Sequence, residues 1–227
     1  MSSERGSSRS GIPQRSFTAR PTDDELLDAA RAVFAERGLR SATMEAIAER
    51  ANSTKPTLYA HFGDKQALYR ASIAREAAAL REWLIAAYDS SGSTHLEHDV
   101  RTYVMALFGY AMDQPDSFRL LFDSLDGESS PEQRNLYDLM IERVAQRIRS
   151  YRADRGRETG PSAQLLAEML VGLVGRAVGH TLRDDQLDRE PVGELIVSFV
   201  ASALRHVDSE TIEAVDGKRV PQDRTPA

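Results

Sequence analysis

A short segment near the N-terminus carries the side chains with the clearest chemical use. Residues 54–61 read Thr-Lys-Pro-Thr-Leu-Tyr-Ala-His. Hydroxyl and ammonium groups can donate hydrogen bonds to phosphate oxygens, and small side chains allow close approach to base edges. In a helix Leu58 and Phe62 would point inward together, which leaves an outward face without any acid. An exposed face with only a structural role more often carries Glu and Lys, so this one favours contact with a nucleic-acid duplex.

No residue pattern of comparable quality points to catalysis. The sequence has no glycine-rich phosphate loop and no Ser/His/Asp motif. His95 and His98 have a spacing that metal ligands can adopt, but a solvated helix start is the better explanation. His61 has no second ligand at a useful spacing. We therefore expect a protein that is not an enzyme and has no cofactor or metal.

The segment has to be positioned by helices. Thr22 and Glu25 form a capping box, and the helix that follows should end at Gly38. A second, short helix is predicted from Thr43, and a third from about Thr54 to His61. Two helices joined by such a short turn are the minimum for a helix-turn-helix, although a helical hairpin inside an all-α core would have the same spacing.

The remaining chain also predicts helices, and no segment alternates with a period of two. The expected fold is all-α with about nine helices, the later ones at about 64–89, 95–113, 115–124, 131–152, 162–182 and 191–206. We divide the chain into a flexible basic arm (1–21), a helix-turn-helix domain (22–68), a helical effector-binding and dimerisation domain (69–207) and a disordered tail (208–227).

Nothing in the composition points to an oxidising compartment. The 227 residues include no Cys, and the net charge is −6. Residues 1–70 hold eleven Lys and Arg against nine Asp and Glu, whereas the remainder holds eighteen against twenty-six. Positive charge is thus concentrated at the N-terminal end, where it would meet phosphate.

The apolar run 165–182 contains Glu168, Arg176 and His180, which favours a buried helix over a membrane span. We expect a cytoplasmic, nucleoid-associated protein without a membrane partner.

The stretch Leu26–Ile73 resembles the DNA-binding domain of TetR/AcrR-family (tetracycline-repressor-like) regulators. Three motifs carry the resemblance. They are Ala-x-x-x-Phe-x-x-x-Gly in the first helix, Thr-Met-x-x-Ile-Ala in the second, and Thr-Leu-Tyr-x-His-Phe followed by Lys65. Beyond this stretch the chain is similar to the family only as a plan of helices and in the run QPDSFRLLF.

The resemblance implies a role for each matching position on double-stranded DNA. Thr43 would contact phosphate with its hydroxyl and the N-terminus of its helix. The base-reading and cap positions would be Thr54, Lys55, Pro56, Thr57 and Ala60, and the backbone-contacting positions Tyr59, His61 and Lys65. Tyr59 could instead be a half-buried ring packed on the first helix. Arg15 and Arg20 in the arm could enter a minor groove or simply be solvated.

The sequence departs from the family in the turn between the two helices. Most members read Ala-Gly-Val-Ser, and this chain reads Ala51-Asn52-Ser53-Thr54. Asn is second only to Gly at a left-handed helix end, so the turn should survive, while Ser53 replaces an apolar plug. The changes bear on which operator is read.

The apolar helix at 162–182 is expected to form a homodimer. In the family, the last two helices of each subunit make a four-helix bundle across a two-fold axis. Gly172, Gly175 and Gly179 would form a stripe that lets a partner helix approach closely. A core helix packed entirely within one subunit remains the alternative, and Arg176 and His180 lie together on a third face.

An effector pocket is expected among the helices between about 64 and 182. Aromatic and Met side chains suit a mostly apolar small organic ligand. The candidates for its lining are Phe108, Met112, Phe122, Tyr137, Met140, Met169 and Arg176.

Together these features predict a ligand-responsive regulator of transcription, with repression as the family default. A homodimer would bind a palindromic operator, with its recognition helices in successive major grooves about 34–36 Å apart, and the effector would release it. Two other classes remain open. An architectural protein would bind operator and random DNA alike, and an enzyme or ligand carrier would need a catalytic arrangement.

Overall fold

The structure is a computed structural model and describes residues 21–89, 96–122, 130–157, 159–184 and 186–217. Within these ranges the chain is all-α, as predicted. The helices are α1 (Asp23–Ser41), α2 (Met44–Arg50), α3 (Lys55–Phe62), α4 (Lys65–Asp89), α5 (Leu96–Asp113), α6 (Pro115–Phe122), α7 (Pro131–Ala153), α8 (Pro161–Thr181), α9 (Arg189–His206) and α10 (Ser209–Val215). We call α1–α3 the head and α4–α10 the body.

Local hydrogen bonds set the helix starts that the sequence predicts. The Glu25 amide donates to Thr22 Oγ1 at 3.3 Å, and the Thr22 amide donates back to Glu25 Oε2 at 2.8 Å. Ser130 and Gln133 form the same reciprocal pair ahead of α7. Gly38 lies at φ 71°, outside helical geometry, so α1 has a kink where the sequence predicted its end and continues to Ser41.

Packing joins the head and the body through one apolar core. α1 packs against α4 and α6, α5 packs against α9, and α7 packs against α8. Buried side chains run without interruption from Leu26 in α1 through Phe118 in α6 to Val200 in α9. Because α4 is part of the body and also contacts α1 and α3, it is the main mechanical link to the head.

A polar junction is buried where α1, α4 and α6 meet. Glu76 of α4 is 4% exposed, and its Oε2 accepts a 2.6 Å hydrogen bond from Ser117 of α6. Its Oε1 accepts a 2.8 Å bond from Arg75 and lies 3.8 Å from a guanidinium nitrogen of Arg31 in α1. Arg75 also donates to Asp28 of α1 at 2.7 Å. The junction therefore ties three helices together with charge-assisted hydrogen bonds.

Helix α8 is long and apolar enough, by length and composition alone, to cross a membrane. In the structure it packs along α7 and also contacts α5, α6 and α9. Part of its apolar surface is nevertheless exposed, at Leu165, Met169 and Leu173.

The C-terminal segment corrects one expectation. Residues 208–227 were predicted to form a disordered tail, but α10 occupies Ser209–Val215 and buries Ile212. Asp216 then accepts hydrogen bonds from the amide and hydroxyl of Ser162, both at 2.9 Å. It thereby caps the start of α8, where Gly160 has no side chain to do so. Residues 218–227 of the predicted tail, and residues 1–20 of the predicted arm, lie outside the described residues.

Candidate nucleic-acid interface and body cavity

The turn between α2 and α3 adopts the geometry that its sequence predicts. Asn52 has φ 47°, in the left-handed region, and the Ser53 amide closes the turn on the carbonyl of Ala48 at 2.8 Å. Ser53 Oγ is buried without a hydrogen-bond partner among the described residues, as expected where a hydroxyl replaces an apolar plug. The departure from the family's usual turn thus leaves the backbone path intact.

Threonine side chains cap both helices of the motif. Thr43 Oγ1 accepts from the amide of Ala46 at 3.1 Å, and Thr54 Oγ1 accepts from the amide of Thr57 at 3.3 Å. The hydroxyls of Thr54 and Thr57 also lie 2.9 Å apart. Each helix start therefore presents both amide and hydroxyl groups near the surface, which is the chemistry that a phosphate or base edge needs.

Helix α3 turns one face inward and leaves the other free. Leu58 is fully buried against a core that includes Ile47 of α2. On the opposite face Lys55, Pro56 and Ala60 are exposed, and Tyr59 is 48% exposed. Thr57 lies between the two faces and is partly buried. The predicted reading positions therefore share one surface that does not pack against the protein's own body.

The outward face of α3 is next to an acidic side chain from the preceding helix. No acid lies on α3, but Glu45 of α2 forms an ion pair with Lys55. The hydrogen bond between them raises the pKa of Lys55 and lowers the pKa of Glu45. Glu45 could not be recognised from the sequence of α3, because it lies on the neighbouring helix α2.

Two of the predicted backbone-contacting residues are engaged within the protein. His61 Nδ1 lies 2.5 Å from Asp23 Oδ1 at the start of α1. Lys65 donates to the carbonyl oxygens of Ala42, at 2.8 Å, and Arg40, at 3.3 Å. Lys65 is the first residue of α4, and a cation at a helix N-terminus is unfavourable unless it finds other partners. The position of Lys65 at a helix start therefore indicated, from the sequence, that it would contact other groups of the protein. Contact of either residue with phosphate stays a prediction.

The body contains an apolar cavity of about 90 Å³. It lies among α4, α5, α7, α8 and α9. Its lining is formed by Leu84, Leu96, Asp99, Val100, Tyr103, Val104, Leu107, Met140, Val144, Arg147, Ile148, Tyr151, Leu170, Val171, Val174, Val200 and Leu204.

Of the predicted pocket residues, Met140 alone lines this cavity. Phe108 is buried in the core, and Met112 is partly buried on the same helix. Phe122 stacks on Phe118 and meets Tyr137 edge-on, which fills the space between α6 and α7. Met169 and Arg176 are exposed on α8. These six residues do not line this cavity, because aromatic and Met content does not reveal which face of a helix turns inward; their contact with a ligand stays a prediction.

The predicted glycine stripe divides between two faces of α8. A Cβ at Gly172 would meet nothing, so this position is open to a partner. A Cβ at Gly175 would come within 3.2 Å of the Phe122 ring of the same chain. Gly179 is buried as well. Gly175 therefore accommodates Phe122 of α6, and its role as a dimer contact stays a prediction.

The apolar residues exposed on the last long helices form a surface of their own. We call this surface the α8–α9 face; it consists of Leu165, Met169, Leu173, Leu195 and Phe199, each 37–68% exposed. The two helices pack against each other, and clusters of exposed apolar side chains mark interaction surfaces in soluble proteins.

A helix-turn-helix head on an all-helical body is an architecture found in DNA-binding transcriptional regulators. The sequence profile of the bacterial regulatory proteins of the tetR family matches residues 26–72. The head of this chain is therefore similar to the DNA-binding domain of the tetR family of bacterial regulatory proteins.

Relatives extend the similarity beyond the head. The transcriptional activator FasR of Mycolicibacterium smegmatis is 29% identical over 210 residues, which cover 89% of this chain and 93% of FasR. The transcriptional repressor BepR of Brucella suis is 27% identical over 195 residues, covering 82% and 93%. A TetR-like regulator structure from Rhodococcus sp. RHA1 superposes with a TM-score of 0.67 at 25% identity, covering 82% of this chain and 96% of that one. The transcriptional regulator FadR of Bacillus subtilis, whose crystal structure contains stearoyl-CoA, shares the fold, with a TM-score of 0.66 at 14% identity over 81% of this chain and 97% of that one.

Proposed function

We propose that this chain is a homodimeric, ligand-responsive repressor that binds a palindromic operator in the cytoplasm and is released by a small, mostly apolar effector. The observation that carries the proposal is the outward face of α3. Its predicted reading residues are exposed together, and the inward face is fixed by the fully buried Leu58. A rigid helix presented in this way fits the major groove.

The α8–α9 face supports the homodimer. A two-fold axis brings the same surface of each subunit together, so an apolar patch that is complementary to itself is sufficient. Gly172, open and next to Leu173, would let two copies of α8 approach closely. Pairing through this face would give the protein two heads, as a palindromic site requires.

The cavity supports an apolar effector. Its volume of about 90 Å³ is smaller than the roughly 300–1,000 Å³ of ordinary ligand pockets. A larger ligand would therefore have to move the surrounding helices apart. Leu84 of α4 belongs to the lining, and α4 contacts the head, so such a movement would reach α3. A ligand that binds the moved state more tightly would shift the protein away from its operator-bound state.

Repression is favoured over activation on the simplest physical grounds. A bound dimer that overlaps a promoter excludes polymerase without any further contact, whereas activation needs a surface that recruits polymerase. Relatives of both kinds exist, because FasR is named an activator and BepR a repressor. Transcription in vitro from the bound promoter separates the two, since an activator would raise transcript levels.

The test is footprinting of the DNA upstream of the protein's own gene. We expect protection of a palindrome with half-sites about one helical turn apart. The variant Tyr59→Ala should weaken operator binding about tenfold without unfolding the head, because the ring is half exposed and contacts to DNA contribute about 1–3 kcal/mol each. Affinities are measured by fluorescence anisotropy.

Tyr59→Phe is the matched control, because it keeps the ring and removes only the hydroxyl. If Tyr59→Ala binds as tightly as the native protein, the assignment of α3 as the reading helix fails. Equal affinity for operator and random DNA would instead indicate an architectural protein.

A further inference from the structure

The cavity in the body has one polar region in an otherwise apolar lining. Asp99 and Tyr103 contribute to it from α5, and Arg147 and Tyr151 from α7. All other lining side chains are aliphatic or Met. A few polar groups in an apolar pocket fix the orientation of a ligand and determine its specificity.

Asp99 is only half satisfied by the protein. Its side chain is 9% exposed, and Oδ2 accepts a hydrogen bond from Arg147 Nη2. The second carboxylate oxygen, Oδ1, is buried and has no hydrogen-bond partner among the described residues. A buried carboxylate oxygen without a hydrogen-bond donor is unfavourable. A ligand group that donates one hydrogen bond to Oδ1 would therefore be stabilised at this position.

The neighbouring side chains restrict which ligand group can donate a hydrogen bond to Asp99 Oδ1. An anionic group such as a carboxylate cannot donate and would be repelled by Asp99. Arg147 already neutralises Asp99 and is 40% exposed, so its charge is shared with solvent. Burial raises the pKa of the neighbouring Tyr103, which keeps its hydroxyl neutral beside the pair. A neutral donor leaves this charge balance unchanged.

We propose that the effector carries a neutral hydrogen-bond donor, a hydroxyl or an amide N–H, at one end of an apolar body, and that Asp99 Oδ1 accepts it. The inference rests on the proposed function, because it assigns the ligand class of the same cavity. The same arrangement predicts that the cavity binds a fatty acid, as a free carboxylate, more weakly than a neutral donor of the same length. A site built to accept a donor rejects an analogue that lacks it, because the buried polar group is then left unpaired.

The test compares three small probes of matched size on the full chain by isothermal titration calorimetry. They are 1-octanol, its isomer heptyl methyl ether, which has no donor, and octanoate. We expect 1-octanol to bind at least about tenfold more tightly than either of the others, which is the value of one hydrogen bond to a charged acceptor.

Asp99→Leu should abolish this preference, so that the ether binds the variant at least as well as the alcohol does. Asp138→Leu is the matched control, because Asp138 is exposed on α7 and does not line the cavity; it should keep the native preference. Circular dichroism and operator affinity check that both variants are folded.

Failure can be assigned to one proposal or the other. If the three probes bind the native protein equally, the role of Asp99 is wrong while the cavity remains a ligand site. Tighter binding of octanoate would also overturn it and would assign the polar region to carboxylate recognition by Arg147. If no probe binds and none alters operator affinity, the apolar-effector part of the proposed function fails, and this inference fails with it.

Discussion

Several side chains on or near the outward face of α3 are held by contacts within the protein. Lys55 pairs with Glu45, His61 with Asp23, and Lys65 with backbone carbonyls. These contacts fix the orientation of the side chains before DNA arrives, which lowers the entropy lost on binding. They also oppose binding wherever an acid must give up its cation to a phosphate. We therefore expect Glu45 and Asp23 to lower the affinity for DNA.

Removing one such acid should strengthen DNA binding. We expect Glu45→Gln to increase affinity for operator and random DNA several-fold at low salt, because Lys55 is then free to neutralise a phosphate. The slope of log K against log salt should become more negative by about one, the contribution of one additional phosphate contact. Anisotropy titrations between about 50 and 200 mM salt measure both quantities.

Glu49→Gln is the appropriate comparison for that variant. Glu49 is exposed on the same helix but forms no ion pair with Lys55 among the described residues. Its substitution by Gln removes the same charge from the head. An identical slope in the two variants would mean that general charge, and not the release of Lys55, governs the effect.

At the scale of helices, the buried junction around Glu76 is the main polar contact between head and body. It joins α4 to α6 through Ser117 and to α1 through Arg31. Since its carboxylate is nearly inaccessible to water, every partner that it loses leaves a buried group unpaired. The junction therefore favours one arrangement of the three helices over continuous sliding.

Neutralising this carboxylate should destabilise the protein. We expect Glu76→Gln to lower the free energy of unfolding by about 1–3 kcal/mol, because Arg31 and Arg75 lose their buried counter-charge. Urea denaturation followed by circular dichroism measures the change. Glu82→Gln, at an exposed position of the same helix, should change stability by less than about 0.5 kcal/mol. A loss of similar size in both variants would assign the effect to helix propensity.

Signals confined to a few residues allowed the helices to be predicted. The capping boxes at Thr22 and Ser130 and the left-handed Asn52 are formed by neighbours in the chain, so their sequence is sufficient to identify them. The orientation of α8 could not be predicted in this way. It is apolar on nearly all sides, so periodicity does not reveal that Gly175 faces Phe122 while Met169 faces outward.

Contacts between distant segments account for the other differences. Asp99 and Arg147 lie on different helices, and neither has a sequence signal that links it to an apolar cavity. Ile212 is a single buried residue in a polar stretch, too little to predict α10. The reading surface was predictable because its motif is local, whereas the cavity depends on how five helices pack.

At the scale of the whole molecule, the α8–α9 face should determine the state of assembly. We expect Phe199→Asp to convert a dimer into a monomer, because a charge would be buried at the centre of an apolar interface. Sedimentation equilibrium measures the mass. Operator affinity should fall steeply as well, since one head contacts only half of the site.

Val215→Asp serves as the control for that substitution. Val215 is also an exposed apolar residue, 49% accessible, but it lies on α10 and outside the α8–α9 face. It should leave the assembly unchanged. A dimer that survives Phe199→Asp would show that the subunits associate through another surface.

The junction at Glu76 has a consequence for exchanging parts between regulators. A hybrid that grafts this head onto an unrelated body would inherit Arg31 but not Ser117, which belongs to α6. Arg31 would then lack its buried counter-charge at the boundary of the graft, and the contacts that fix head against body would be lost even if each half folded. A functional hybrid should therefore require that Glu76 and Ser117 are transferred together with the head.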